Sequence, residues 1–181
     1  MQFNGLTIKE SGEQSIITLE EAKAQLHILD NYEDDKIKAS IESAVAYCEN
    51  YLWQSLRPQT IVASYTPDGR NFAELFRGTF NELIGVKYFD ESGKAQEIAS
   101  DDITVDDSLP VPRAYFAEPK TSPEMFGAIK IEYTAKAPAT LSQQIKQAAL
   151  IATAQFFDDR DAPDLSAVDK ILKLTATRYF L

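Results

Sequence analysis

Residues 18–53, TLEEAKAQLHILDNYEDDKIKASIESAVAYCENYLW, decide how the rest of the chain is read. Thr18-Leu19-Glu20-Glu21 forms a capping box, in which the Thr18 hydroxyl can accept from the Glu21 amide while the Glu21 carboxylate reaches back to the Thr18 amide. A short helix is predicted from there to about His27, with Leu19, Ala22 and Leu26 as its single apolar edge. Asp30-Asn31 ends it and offers a cap to a long helix running through Trp53, whose first turn carries Glu33, Asp34 and Asp35 where the helix dipole favours acid. In that long helix Ile37, Ile41, Ala44, Val45, Cys48, Tyr51 and Leu52 recur at helical spacing and share an arc roughly 120° wide. Behind the stripe, Ala39, Ser43, Ala46 and Asn50 fall together. Two readings fit them: a solvated face made of good helix formers, or a second packing face that lets another copy of the chain approach closely.

Working outward, residues 1–17 are weakly patterned and read as an arm with one strand at most. Pro58 ends the helical period, and from Gln59 to Lys136 alternation takes over. Ile61, Ala63 and Tyr65 interleave with Thr60, Val62, Ser64 and Thr66 before the turn Pro67-Asp68-Gly69. Ile84–Phe89 and Lys94–Ile98 flank Asp90-Glu91-Ser92-Gly93 as a hairpin, Ile103–Val105 is a short strand, and Arg113–Ala117 can pair at an edge. Gly127–Thr134, with Ile129, Ile131 and Tyr133 opposed to Lys130, Glu132 and Thr134, is the cleanest strand. After Pro138 the helical period returns: Leu141, Ile145, Ala148, Ala149, Ala152 and Phe156 make one face, and Ser166 caps a last helix with Val168, Ile171, Leu172, Thr175 and Tyr179 inward. The expected class is α+β, a helical core of a short helix, a long helix and two C-terminal helices, with a small, mostly antiparallel β insertion between the second and third helices. That makes one domain over 1–181, helical at 18–57 and 139–181 and β-rich at 58–138.

Composition narrows the chemistry. A net charge of −10 opposes indiscriminate binding to nucleic acid or anionic lipid, since phosphate backbones are held by Lys and Arg. The single cysteine excludes an internal disulfide framework; Cys48 sits on the apolar stripe as a small hydrophobe, with a reactive thiol as the alternative. No run approaches the ~18 apolar residues of a membrane span, and the N-terminus lacks a signal-peptide pattern, so a cytosolic product with no membrane contact is expected. One His and one Cys cannot build a zinc site, no Ser or Cys has a visible His partner, and the seven glycines never group into a phosphate loop. No catalytic, cofactor-binding or metal-binding residue is therefore assigned. Asp101-Asp102 and Asp106-Asp107 could in principle hold Mg²⁺. Arg160, after Phe156-Phe157, reads as an ion-paired helix end or as an intersubunit fork to a carboxylate. The apolar end Tyr179-Phe180-Leu181 either folds back or docks into a neighbour.

Ile17 to Leu26, then Glu33-Asp34-Asp35, then Ile37 through Leu52, resemble the opening of tailed-phage head-tail connector (head-completion, adaptor) proteins, the gp6-like and phage gp8-like family. The likeness continues through Val86 to Gly93, Ile129 to Tyr133, and the late helix from Leu141 to Phe157 and Arg160. It departs where relatives carry Gly-Tyr after the last strand and this chain has Thr134-Ala135-Lys136-Ala137-Pro138, and it does not extend past Pro163. The resemblance implies a structural protein of the virion head-tail junction, made in the host cytoplasm. It implies a homo-oligomeric ring, twelve-fold in the virion, between the portal protein and a tail or stopper protein, extending a channel through which DNA passes without specific binding. The candidate subunit interface then comprises Ala39, Ser43, Ala46, Asn50, Arg160, Tyr179, Phe180 and Leu181. The rivals are a DNA-packaging accessory or metal-dependent nuclease-like enzyme using the acid pairs, and a monomeric adaptor docking through its last three residues.

Overall fold

The computed structural model describes residues 1–117, 121, 125–138, 141–159 and 161–176. Helices and antiparallel strands both contribute, so the class is α+β, and the chain divides into two compact units. One takes Met1–Gly12 and Arg57–Lys136, the other Glu13–Leu56 and Ala137–Leu181.

The helical unit contains α1 (Leu19–Leu26), α2 (Asp34–Leu52), α3 (Gln143–Asp158) and α4 (Ser166–Ala176). The predicted capping box is present at α1: Glu21 N donates to Thr18 Oγ1 at 3.2 Å and Thr18 N donates to Glu21 Oε2 at 3.0 Å. The other Glu21 carboxylate oxygen accepts from Lys146 Nζ at 2.5 Å, which ties α1 to α3. Ile37, Ile41, Ala44, Val45, Cys48 and Leu52 of α2 bury against Ile145, Ala148, Ala149 and Ala152 of α3 and Val168 and Leu172 of α4. Alanine dominates the α3 side of that core, so the helix backbones approach with little side chain between them. Tyr51, expected inside the stripe, lies at its rim, and its hydroxyl donates to Asp169 O at 3.3 Å. Tyr47 reaches the Asp169 carboxylate, tying α2 to α4.

Two expected helix caps are corrected, and two helix ends have an uncommon geometry. Asp30-Asn31 does not cap α2: Asp30 accepts from the Tyr32 amide, and α2 starts after Glu33 without a side-chain cap. Both α1 and α2 end on a left-handed residue that is not glycine, His27 and Trp53. Ser166 is the first helical residue of α4, its amide bonded to Asp164 Oδ1 at 3.0 Å.

The β unit pairs a five-stranded sheet with a three-stranded one. The first is ordered β1 (Gln2–Ser11), β2 (Gln59–Thr66), β8 (Ile129–Lys136), β4 (Thr79–Phe89), β5 (Ala95–Ile98). The second is ordered β3 (Phe72–Glu74), β7 (Arg113–Tyr115), β6 (Thr104–Asp106), and every strand pair is antiparallel. The N-terminal arm is thus a ten-residue edge strand. The segment expected at an edge, Arg113 to Ala117, supplies the central strand of the small sheet. Alternation works as the sequence predicts in β2 and β8: Ile61, Ala63, Tyr65, Ile129, Ile131 and Tyr133 face a core shared with Ala73, Leu75, Ala114 and Phe116. Two buried hydroxyls lock the β3 segment onto that core, Tyr65 donating to Glu74 O at 2.5 Å and Tyr133 to Phe76 O at 2.6 Å.

Candidate assembly surfaces

With the buried arc of α2 facing α3 and α4, the opposite face is left to solvent. Ala39, Ser43 and Asn50 are exposed and Ala46 is half-buried. Ser43 Oγ donates to Ala39 O at 3.0 Å, so its hydroxyl is satisfied within the helix and the strip stays low in profile. Lys36, beside it, lies over the Phe157 ring at 3.9 Å. The structure therefore brings four of the expected interface residues onto one accessible strip. Arg160, Tyr179, Phe180 and Leu181 lie outside the described residues.

A second surface was not foreseen. In the loop between α1 and α2, Leu29 is 98% exposed and Tyr32 95% exposed. The loop is nonetheless fixed: Lys23 Nζ donates to Asn31 Oδ1 at 2.6 Å and pairs with Asp34 at 2.8 Å, Tyr32 N donates to Asp30 Oδ1 at 3.1 Å, and Ile28 N donates to Lys23 O at 3.0 Å. An apolar pair in a loop gives no sequence signal of exposure, which is why pattern reading passed over it.

A third surface is a groove of about 570 Å³ in the β unit, with Leu83, Ile84, Val86, Ile98 and Ile103 in its walls and Lys87 and Lys130 at its rim. It follows from β4, where register shifts between Phe80 and Glu82 and between Leu83 and Gly85 break the pleat and leave Ile84 half in solvent.

The acid pairs do not converge. Asp101 and Asp102 are exposed in the 3₁₀ turn Ser100–Asp102, and Asp106 accepts from both the hydroxyl and the amide of Ser108, which hold its carboxyl below the ordinary range. Among the described residues no group of three or more His, Cys, Asp or Glu is placed to hold a metal ion. His27 is an exposed helix cap. Cys48 is buried, and desolvation pushes its thiol up to about 12, far from a reactive thiolate. A smaller cavity of about 380 Å³ beside Met1 has its charged lining paired, the Met1 ammonium with Asp68 at 2.7 Å and Glu74 with Arg113, outside the lining, at 2.9 Å.

Among the described residues, four helices and two antiparallel sheets, with a low-profile helix strip and an apolar loop pair exposed to solvent, define an α+β protein. The chain belongs to the phage gp6-like head-tail connector protein family, whose model matches residues 16–118. Its fold is similar to a chain in the neck of an empty GTA particle computed with C6 symmetry, at 15% identity and a TM-score of 0.70, covering 93% of this chain and 95% of that one. It is equally similar to a chain in the virion of a native gene transfer agent (GTA) particle, at 16% identity and a TM-score of 0.70 over 96% and 94% of the two chains. A chain in the neck of a native GTA particle computed with C12 symmetry follows at 15% identity and a TM-score of 0.60, covering 90% and 94%. At these identities the likeness is one of fold. No curated protein matches the sequence significantly.

Proposed function

We propose that this protein is a non-enzymatic structural connector of the virion head-tail junction. In this reading, copies join head to tail in a closed ring, twelve-fold in the particle, between a portal protein and a tail or stopper protein. DNA passes through without being gripped, because the chain carries a net charge of −10. The observation that carries the reading is family membership combined with a fold match over nine-tenths of the chain to chains of a particle's neck and virion. The helical unit, assembled from the two stretches that flank residues 57–136, supplies the body, and the strip Ala39, Ser43, Ala46, Asn50 supplies one side of a heterologous contact, the kind that closes into rings.

The test is an Ala39→Glu/Ala46→Glu double variant. Ala39 is exposed and Ala46 only half-buried, so protomer stability should change little, while two carboxylates set into a close-packed interface should abolish assembly. Electron microscopy and light scattering read the rings, and circular dichroism reads the helices. Rings that persist in the double variant would rule this strip out.

A further inference from the structure

We propose that the loop carrying Leu29 and Tyr32 is a plug that seats in the β4–β5 groove of a second copy of this chain. The inference rests on the ring reading above and supplies a contact that reading does not name. Two large apolar side chains almost wholly in water, on a loop braced by Lys23 and by the Asp30 turn, form an ordered projection whose exposure has no use within its own protomer. The groove is the matching concavity, apolar in its walls and within the ~300–1,000 Å³ span of sites that take a compact apolar group.

Charge selects the same pairing. Lys87 and Lys130 stand directly opposite each other across β4 and β8, an unfavourable like-charge pair. Glu97 answers Lys87 at 3.0 Å, and Glu132, the other acid of the groove, is taken by Lys9 at 2.7 Å. Lys130 lies over the Phe89 ring at 5.7 Å and has no carboxylate within ion-pair reach among the described residues. The groove's lysines and glutamates balance, but Lys130 is left without a carboxylate, and the loop that would fill the groove brings Asp30, whose carboxylate has no cation in ion-pair reach among the described residues. A Tyr buries about 150–250 Å², so the plug is an anchor within a larger interface of about 1,200–2,000 Å², to which the α2 strip can contribute the rest. Plug and groove are different patches, so the contact is heterologous and propagates around a ring.

Two measurements test it on the full-length protein. In sedimentation across concentration, Leu29→Asp and Ile84→Asp should each weaken self-association at least tenfold with circular dichroism unchanged, since both sites are exposed. In cross-linking, Tyr32→Cys and Ile84→Cys proteins mixed with a short bis-maleimide should give a heterodimer that neither gives alone, the native Cys48 being buried. Rings that form without the heterodimer and tolerate Leu29→Asp would overturn this contact alone. A protein that never self-associates would overturn the connector reading with it, and a Leu29→Asp variant that still forms rings but fails on portal assemblies would assign the loop to the portal instead.

Discussion

Raising the pH should unfasten the β unit through two tyrosines. Tyr65 and Tyr133 are 0% and 1% exposed, and burial holds both phenols well above their ordinary range. In the unfolded chain they ionise near pH 10. Above that pH the unfolded state sheds protons that the folded state keeps, so stability falls as pH rises. Each phenol approaches about 1.4 kcal/mol per pH unit well above pH 10, and because the unfolded phenols are only half ionised at pH 10, the pair loses about 2 kcal/mol between pH 10 and 11. The assay is the urea midpoint at pH 8, 10 and 11, followed by circular dichroism and by tyrosinate absorbance. The control is Tyr65→Phe/Tyr133→Phe, which keeps the rings but leaves Glu74 O and Phe76 O without their donors, a loss of about 1 kcal/mol each at neutral pH. Tyr47 and Cys48, both held at about 12 in the folded state, ionise in this window only on unfolding and do so alike in both proteins, so the difference between the two slopes isolates the pair. A double-Phe variant that loses stability above pH 10 as steeply as the parent would refute the reasoning.

Ile145→Ala, at a fully buried position facing α2, should cost about 2–5 kcal/mol in urea unfolding, with a spread set by how far the alanine-rich contact can close over the cavity. Asp90→Ala should fray the β4–β5 hairpin, because Asp90 accepts from Ser92 N, Ser92 Oγ, Lys94 N and Gln96 Nε2. Those donors hold its carboxyl well below the ordinary range, so the parent hairpin should also loosen as pH falls through that depressed value; hydrogen exchange at the Lys94 amide measures both. A fragment of residues 57–136 lacks β1 and bares the edge of β2, and should self-associate where the full chain's β unit does not, as read by light scattering.

What could be read in advance follows from the length and regularity of each element. The α2 stripe spans five turns and the alternation of β2 and β8 runs unbroken for eight residues, so their periods stand out. β3 has three residues, too few to show a period, and β4 carries two register shifts that scramble its alternation before Val86. The Arg113 strand looked peripheral because prolines surround it, yet its centrality depends on β3 and β6 arriving from either side, which no local pattern encodes. Asp30 and Asn31 carried the right chemistry for a cap but spend it on Tyr32 N and Lys23 instead. The α2 strip was visible as a set of small residues, and the structure adds that they reach solvent. The Leu29–Tyr32 projection and the groove were invisible, since exposure and concavity belong to the folded surface.

The order of elements along the chain raises a problem that the β unit resolves in its own register. The helical unit is split by residues 57–136, and β1 precedes it, so the chain passes between units after Gly12, after Leu56 and after Lys136. A long interruption between α2 and α3 would cost closure entropy if its ends were free. They are not free, because Ser11 pairs with Gln59 and Gln59 pairs with Ala135, which brings all three crossings to one end of the adjacent strands β1, β2 and β8. Gly12 N donates to Pro58 O at 2.7 Å there, and a Cβ on Gly12 would meet Pro58 at 3.3 Å, so the glycine permits the close approach that sets the first crossing beside the second. Once β2 and β8 pair, the two halves of the helical core are delivered from neighbouring strand ends, and an eighty-residue excursion acts on them like a short loop. That is why a chain whose helical core is discontinuous in sequence can still pack α2 on α3 as closely as alanine allows.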